Sequence, residues 1–282
     1  MDVLDAFIMG LVQGLAEYLP ISSSGHLEIC GKVLGLDLQG AEALDFSVAL
    51  HVATVLSTIV ILWREFAGLC SSFFRFKRDE NTIYVLKILF SCIPVAIVGL
   101  FFEEKVEAFF GGNLMVVGVC LMFTAALLAF SYFYPRRKAN LKADGTIRQH
   151  DIRWIDAFVI GCAQALAVLP GLSRSGTTIS TGLILGNRSD KLAQFSFFMV
   201  VIPILGKAML DVKDMFTEPV AEASVGFLPL LVGFMTSFIV GCIACKWMID
   251  LVKKGKLVWF AVYCAIAGTV CLTWEQVSVW IG

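Results

Sequence analysis

The chain of 282 residues carries a formal net charge of −1, with 16% charged and 58% hydrophobic residues and a mean hydropathy of +0.83. A soluble globular domain has about 25% charged residues, and a nearly neutral chain has no electrostatic reason to bind nucleic acid. The composition therefore excludes a soluble globular domain and gives no argument for nucleic-acid binding. Uncharged runs of about 20 residues recur, so the sequence predicts an all-α, multi-pass membrane protein.

The first predicted element is a helix that begins near residue 3 and breaks at the proline of "EYLPISSSGH" (17–26). Proline inside a helix removes a hydrogen bond and kinks or ends the helix. A short second helix follows the break. Such an interrupted pair does not cross a bilayer simply, and non-helical backbone at membrane depth has to be buried or line a cavity. Residues 3–36 are therefore predicted to form a re-entrant helical hairpin.

The remaining elements follow from an internal repeat. The stretch "DAFIMGLVQGLAEYLPISSSG" (5–25) aligns without a gap to "DAFVIGCAQALAVLPGLSRSG" (156–176), with ten of 21 pairs identical. We therefore divide one integrated membrane domain into two homologous halves, 1–150 and 151–282, the second with its own hairpin at 155–188. Each half adds three transmembrane helices to its hairpin. These spans are predicted near 45–63, 84–102, 114–134, 193–211, 225–247 and 257–275.

The predicted topology follows from the number of spans and from the basic residues. Because three is odd, the second repeat is expected to be inverted relative to the first. Sixteen of the 22 Lys and Arg residues fall in one set of loops, at 64–82, 135–153, 186–193 and 246–256, and four in the opposite set, at 28–44, 103–113, 207–224 and the C-terminus. The positive-inside rule places the first set in the cytoplasm. Both termini then face outward. The first hairpin enters from outside and the second from the cytoplasm, and the site is expected to open outward.

Two hairpins that enter from opposite sides meet near the midplane, at the tips "PISSSGH" and "PGLSRSGTT". Each tip opens a helix, so it presents free backbone N–H groups and the positive end of a helix dipole, which suit an anion such as phosphate. The tips differ chemically, and this difference favours an enzyme over a transporter. The aligned but unequal pairs are Glu17 and Val168, Ser23 and Arg174, and His26 and Thr177.

The site residues carry structural alternatives. Ser22 to Ser24 could cap a helix, and Glu17 could serve only as a partner for Arg174. Charged side chains in a membrane interior are nevertheless functional by default. His51 could line the cavity or bond to a neighbouring helix. The predicted catalytic residues are Glu17, Ser23, His26 and Arg174. The predicted substrate-binding residues are Gln13, Ser22, Ser24, Gly25, Ser173, Ser175 and Gly176.

These motifs resemble those of a known family, the bacterial undecaprenyl-diphosphatases associated with bacitracin resistance. The matching stretches are "QGLAE" (13–17), "LPISSSGH" (19–26), "FSVALHVAT" (46–54), "PGLSRSG" (170–176) and "FSFFMVVIP" (195–203). The resemblance implies a bacterial inner-membrane enzyme that converts undecaprenyl diphosphate to undecaprenyl phosphate and recycles this lipid carrier for cell-wall synthesis. It also implies dependence on a divalent cation, Mg²⁺ or Ca²⁺, with Glu17 as one conceivable ligand; the sequence itself indicates no cofactor. Many members have Glu where this chain has Gln13.

The functional prediction is a lipid diphosphate phosphatase whose partners are its polyprenyl diphosphate substrate and the membrane. Ser23 is the preferred nucleophile, with His26 and Glu17 moving protons, and His26 as nucleophile is the rival within the same class. The alternative from another class is a prenyl-phosphate flippase or other transporter built on the inverted repeat. The sequence leaves open whether the protein forms a homodimer.

Overall fold

A computed structural model of the protein describes residues 1–36, 41–102, 113–140, 149–217 and 225–281, and these residues form eleven helices. Parts of the predicted loops at 103–113, 135–153 and 207–224 lie outside the described residues. The helices are α1 (Val3–Ala16), α2 (Ser23–Leu34), α3 (Ala41–Ile61), α4 (Trp63–Phe74), α5 (Glu80–Phe101), α6 (Leu114–Asn140), α7 (Trp154–Leu166), α8 (Arg174–Leu185), α9 (Ser189–Thr217), α10 (Phe227–Lys253) and α11 (Val258–Ile281).

The protein is a multi-pass membrane protein by the length and apolar character of its helices. Within the described residues, α5, α6, α9 and α10 each contain an uncharged or nearly uncharged stretch long enough to cross a bilayer. The pair α3 and α4 counts as a fifth candidate span if the two helices are taken together. The described apolar part of α11, Val258–Trp274, is shorter than these spans.

Helix α4 differs from the sequence-based expectation, which treated residues 64–82 as a cytoplasmic loop. The chain bends by 87° after α3 and continues as α4. Phe66 and Leu69 pack against the core, whereas the charged Arg64 and Glu65 are exposed. This spacing is that of an amphipathic helix, so the basic residues around it flank a helix rather than an irregular loop.

The repeated residues of the two hairpins have equivalent structural roles. The carboxylates of Asp5 and Asp156 accept hydrogen bonds from the backbone N–H groups of Asp2 and Arg153, and thereby cap α1 and α7. The second helix of each hairpin ends at a glycine in the left-handed region, Gly35 (φ +68°) after α2 and Gly186 (φ +90°) after α8. The following backbone N–H bonds five residues back in both cases, which is a Schellman ending.

Close backbone contacts fix the first helix of each hairpin to a long helix of the other half. A Cβ atom at Gly14 of α1 would lie 2.8 Å from the carbonyl oxygen of Ser237 in α10. In the second hairpin, Gly161 of α7 lies directly against the backbone of Ser91 in α5. Small residues permit this approach, so α1 packs along α10 and α7 packs along α5.

Candidate active site

The two hairpin tips meet directly, as the repeat predicts. The Ser175 hydroxyl of the second tip donates to the Leu19 carbonyl of the first, at 3.2 Å. A Cβ atom at Gly25 would lie 2.9 Å from the Cα of Gly171, and one at Gly176 would lie 3.2 Å from Pro20. The small residues at both tips therefore serve to bring the backbones together.

The Glu17 carboxylate, 8% exposed, is the centre of this contact. Arg174 Nη2 donates to its Oε1 across the two tips. Gln13 Nε2 and Ser23 Oγ both donate to its Oε2, each at 2.9 Å. One buried carboxylate thus joins the guanidinium of the second hairpin to a hydroxyl of the first. This arrangement satisfies the charge that a carboxylate carries out of water.

His26 is held at both ring nitrogens. Its Nδ1 lies 2.8 Å from the Ser22 carbonyl oxygen, and its Nε2 lies 2.7 Å from the Tyr263 hydroxyl. A carbonyl only accepts, so the hydrogen-bond network assigns the Nδ1 proton to the ring. In the neutral imidazole, Nε2 then accepts from the Tyr263 O–H. The two rings also stack, with centroids 5.6 Å apart.

His51 lies at the same carboxylate from α3. Its Nε2 is 3.8 Å from Glu17 Oε2, and its Nδ1 is 2.8 Å from the Ser47 carbonyl oxygen. By the same reasoning Nδ1 carries a proton and Nε2 faces the site. The structure therefore brings His51 into the site rather than into a contact with an unrelated helix.

The tips also present unpaired backbone donors. Ser22 Oγ accepts from Gly25 N at 3.3 Å, and Ser173 Oγ accepts from Gly176 N at 3.1 Å, so these two serines cap α2 and α8. Within the described residues the preceding amides, at positions 23, 24, 174 and 175, face no acceptor. Ser22 has φ +72° and ψ +100°, a conformation that L-residues rarely adopt and that occurs mostly at functional sites. Unpaired N–H groups at two adjoining helix N-termini have the geometry that suits an anion.

The other predicted binding residues have mainly structural contacts. Ser173 is 1% exposed, and its backbone N–H donates to Thr124 Oγ1 at 3.1 Å. Ser24 Oγ lies 3.4 Å from Ser22 Oγ and, among the described residues, makes no hydrogen bond to Glu17. Serine side chains at these positions therefore shape the tips, while the backbone supplies the donors.

Sequence reasoning missed Thr124 and Tyr263, which belong to distant helices and carry no motif. A polar side chain inside an apolar run was the available signal for each of them.

Glu28 is a different case, because both of its carboxylate oxygens are buried and no described residue donates to them. An ionised carboxylate is costly in such surroundings.

The residues of the tips do not form a divalent-cation site by themselves. Within the described residues, no three His, Cys, Asp or Glu side chains are grouped so that they could hold a metal ion. Both Glu17 oxygens already accept hydrogen bonds, and Gln13 supplies an amide where a second carboxylate would be needed. The donor set thus does not fit a protein-held Mg²⁺ or Ca²⁺.

The comparisons with known proteins all indicate the same family. The model of the family described as bacitracin resistance protein BacA matches residues 6–270. The chain is 54% identical over 269 residues to an undecaprenyl-diphosphatase of Bacteroides thetaiotaomicron, covering 95% of this chain and 97% of that protein. A protein of the same name from Parabacteroides distasonis is 53% identical (96% and 98% covered), and one from Methanosphaera stadtmanae is 34% identical (96% and 98% covered).

Proposed function

The chain belongs to the bacitracin resistance protein BacA family, and we propose that its two hairpin tips are the site at which it hydrolyses undecaprenyl diphosphate to undecaprenyl phosphate and inorganic phosphate. The observation that carries this proposal is the Glu17 carboxylate, which binds both the Arg174 guanidinium and the Ser23 hydroxyl. A cation, a hydroxyl and a base thus meet where two helices present free N–H groups. Phosphoryl transfer requires groups of these kinds to bind the phosphate, attack it and move its protons.

Substrate binding uses the positive groups of both tips. Arg174 donates to Glu17 through Nη2, which leaves Nη1 and Nε for the diphosphate oxygens. The free amides at the starts of α2 and α8 add donors that need no reorganisation when negative charge develops. The prenyl tail lies in the bilayer, since the diphosphate is the only polar part of the substrate.

In the first chemical step Ser23 Oγ attacks the terminal phosphorus. The Oγ–P bond forms, the bond from phosphorus to the bridging oxygen breaks, and undecaprenyl phosphate leaves with the electron pair. The Oγ proton passes to Glu17 Oε2, which lies 2.9 Å away. Water then attacks the phosphoserine, the Oγ–P bond breaks, and Oγ recovers its proton from Glu17. One water proton stays on the phosphate, and the other passes to His26.

The rival assignment makes His26 the nucleophile. In the resting structure neither ring nitrogen is free, because Nδ1 donates to Ser22 and Nε2 accepts from Tyr263. Ser23, in contrast, already donates to a carboxylate. These contacts support Ser23 as nucleophile and His26 as a proton carrier.

Phosphate release from undecaprenyl diphosphate by the purified protein in detergent tests the proposal. An enzyme releases phosphate without any compartments, whereas a flippase or other transporter releases none. Ser23→Ala is expected to abolish release. Ser24→Ala is the matched control, because it removes the neighbouring hydroxyl but neither a bond to Glu17 nor the cap of α2, so its rate should stay within about tenfold of the wild type. Equal release by both variants would remove Ser23 from the mechanism.

We further propose that the halves 1–150 and 151–282 are inverted repeats in the bacterial inner membrane, with both termini outside and the active site open to the outer side. The excess of basic residues in one set of loops supports this orientation, and the reciprocal packing of α1 on α10 and α7 on α5 supports the inversion. A single cysteine at Val33, which is 74% exposed, should react in intact cells with an impermeant thiol reagent. Reaction only after the cells are opened would reverse the orientation.

A further inference from the structure

The hydrogen bond from Tyr263 to His26 links two helices whose backbones are not in contact. All Cα atoms of α2 lie more than 8 Å from those of α11 within the described residues. The Tyr263 hydroxyl nevertheless lies 2.7 Å from His26 Nε2, and their rings stack. A side chain 237 positions away in the sequence therefore reaches the catalytic hairpin without backbone contact between the helices.

The two threonine hydroxyls in the described part of α11 behave differently. Thr269 Oγ1 and Thr273 Oγ1 donate to carbonyl oxygens of their own helix, Ala265 at 2.7 Å and Thr269 at 2.9 Å. Hydroxyls in apolar helices commonly make such local bonds. Tyr263 alone among these three directs its hydroxyl to the site, although the residue is 44% exposed.

A tyrosine hydroxyl can donate one hydrogen bond and accept others at the same time. With Nδ1 held by the Ser22 carbonyl, the lone pair of His26 Nε2 points at the Tyr263 oxygen. A proton that reaches Nε2 along this direction has to come from the hydroxyl. The hydroxyl oxygen in turn can take a proton from water.

We propose that Tyr263 is a further catalytic residue, the proton relay between His26 and the attacking water. In the hydrolysis of the phosphoserine, the Tyr263 O–H bond breaks and its proton forms the Nε2–H bond of His26. The Tyr263 oxygen takes one proton from the water whose oxygen bonds to phosphorus. The hydroxyl is regenerated in the same step, and His26 holds the proton. This inference rests on the proposed function and adds the residue that connects His26 to its reactant.

Tyr263→Phe tests the relay, because it keeps the stacked ring and removes only the hydroxyl. We expect kcat for phosphate release from undecaprenyl diphosphate to fall roughly 10- to 100-fold, within the range of acid–base contributions. The control is Tyr134→Phe, which removes the hydroxyl of a similarly exposed tyrosine stacked on Phe130, with centroids 5.0 Å apart. It should leave kcat unchanged. An unchanged kcat in Tyr263→Phe would overturn the proposal.

Two measurements separate a relay from a structural role. In a His26→Ala background, Tyr263→Phe should cause no further loss, since the chain of proton transfer is already broken; a full additional loss would contradict the relay. Where hydrolysis of the phosphoserine limits the single-turnover rate, three protons move in the wild type, two along the relay and one from Glu17 to Ser23. The proton inventory in mixed H₂O and D₂O should therefore be strongly curved in the wild type and less curved in Tyr263→Phe. A straight plot for the wild type would exclude the relay.

The hydrogen bond itself can be observed without activity. The chain has three histidines, so ¹⁵N-histidine labelling gives three pairs of ring signals. Tyr263→Phe should shift only the Nε2 signal of one histidine, assigned to His26 by its loss in His26→Ala. No shift would show that the bond is absent. If Tyr263→Phe causes this shift but the wild-type protein releases no phosphate, the hydrogen bond exists and the proposed function is wrong.

Discussion

Replacing Arg174 by lysine keeps the positive charge between the hairpin tips but replaces the planar guanidinium with a single ammonium group. The guanidinium uses Nη2 on Glu17 and has Nη1 and Nε left for the diphosphate. Lysine has one nitrogen on a flexible chain, so it cannot bind Glu17 and fix the transferred phosphoryl group in the same geometry. The variant therefore has to give up part of one of these two functions.

The expected loss can be calculated from the hydrogen bonds concerned. Losing one charge-assisted bond to the phosphoryl group in the transition state amounts to about 1.5–3 kcal/mol. This corresponds to a decrease of roughly 10- to 150-fold in kcat/KM. The effect should fall mainly on kcat, because the free amides of α2 and α8 still bind the ground-state diphosphate.

The assay is phosphate release from undecaprenyl diphosphate in detergent over a range of substrate concentrations. Arg188→Lys is a matched control, because Arg188 is an exposed arginine whose Nη2 lies 2.7 Å from Asp190 Oδ2, away from the tips. A thermal unfolding curve for each variant establishes that the protein is folded. Activity of Arg174→Lys within about threefold of the wild type would refute the reasoning and leave Arg174 as a counter-ion of Glu17.

Three further predictions follow from the site and its surroundings. Rapid quenching with substrate labelled in the terminal phosphate should place the label on Ser23; recovery of the label on His26 would transfer the nucleophilic role to the imidazole. Gly233→Ala should lower the unfolding temperature, because its Cβ would lie 2.7 Å from the Phe46 ring and overpacking costs about 1–3 kcal/mol. The control Gly99→Ala, which meets nothing within 4 Å, should be neutral or stabilising by about 0.5–1 kcal/mol, and equal melting of the two variants would contradict the packing. Glu28→Gln should retain both stability and turnover, since no described residue donates to the Glu28 carboxyl; a large loss of either would mean that the carboxyl has a charged role.

Much of the site could be predicted from local sequence. Proline or glycine breaks, a capping aspartate and a final glycine occur in both hairpins, and each acts through residues at most five positions away. The pairing of Glu17 with Arg174 was available from the sequence as a structural alternative, because a charge is costly when it stands alone in a membrane interior. Local chemistry and charge balance thus specified the centre of the site.

The contacts that were missed depend on how distant helices pack. Tyr263 meets His26 only because α11 lies beside the first hairpin, and no pattern along the chain encodes that position. Thr124 reaches the Ser173 amide for the same reason. Helix α4 was missed for another reason: its apolar residues have helical spacing, but twelve residues are too few to register as a span.

The close backbone contacts of α1 with α10 and of α7 with α5 mean that the sequence halves are not the mechanical halves of the protein. If the first hairpin moves, it carries α10 with it, and if the second moves, it carries α5. Each of these packed helix pairs therefore contains one helix from either side of residue 150. If the chain were cut between α6 and α7, each of the two polypeptides would expose the glycines of these helix contacts. The two pieces would have to associate before α1 could pack on α10 and α7 on α5.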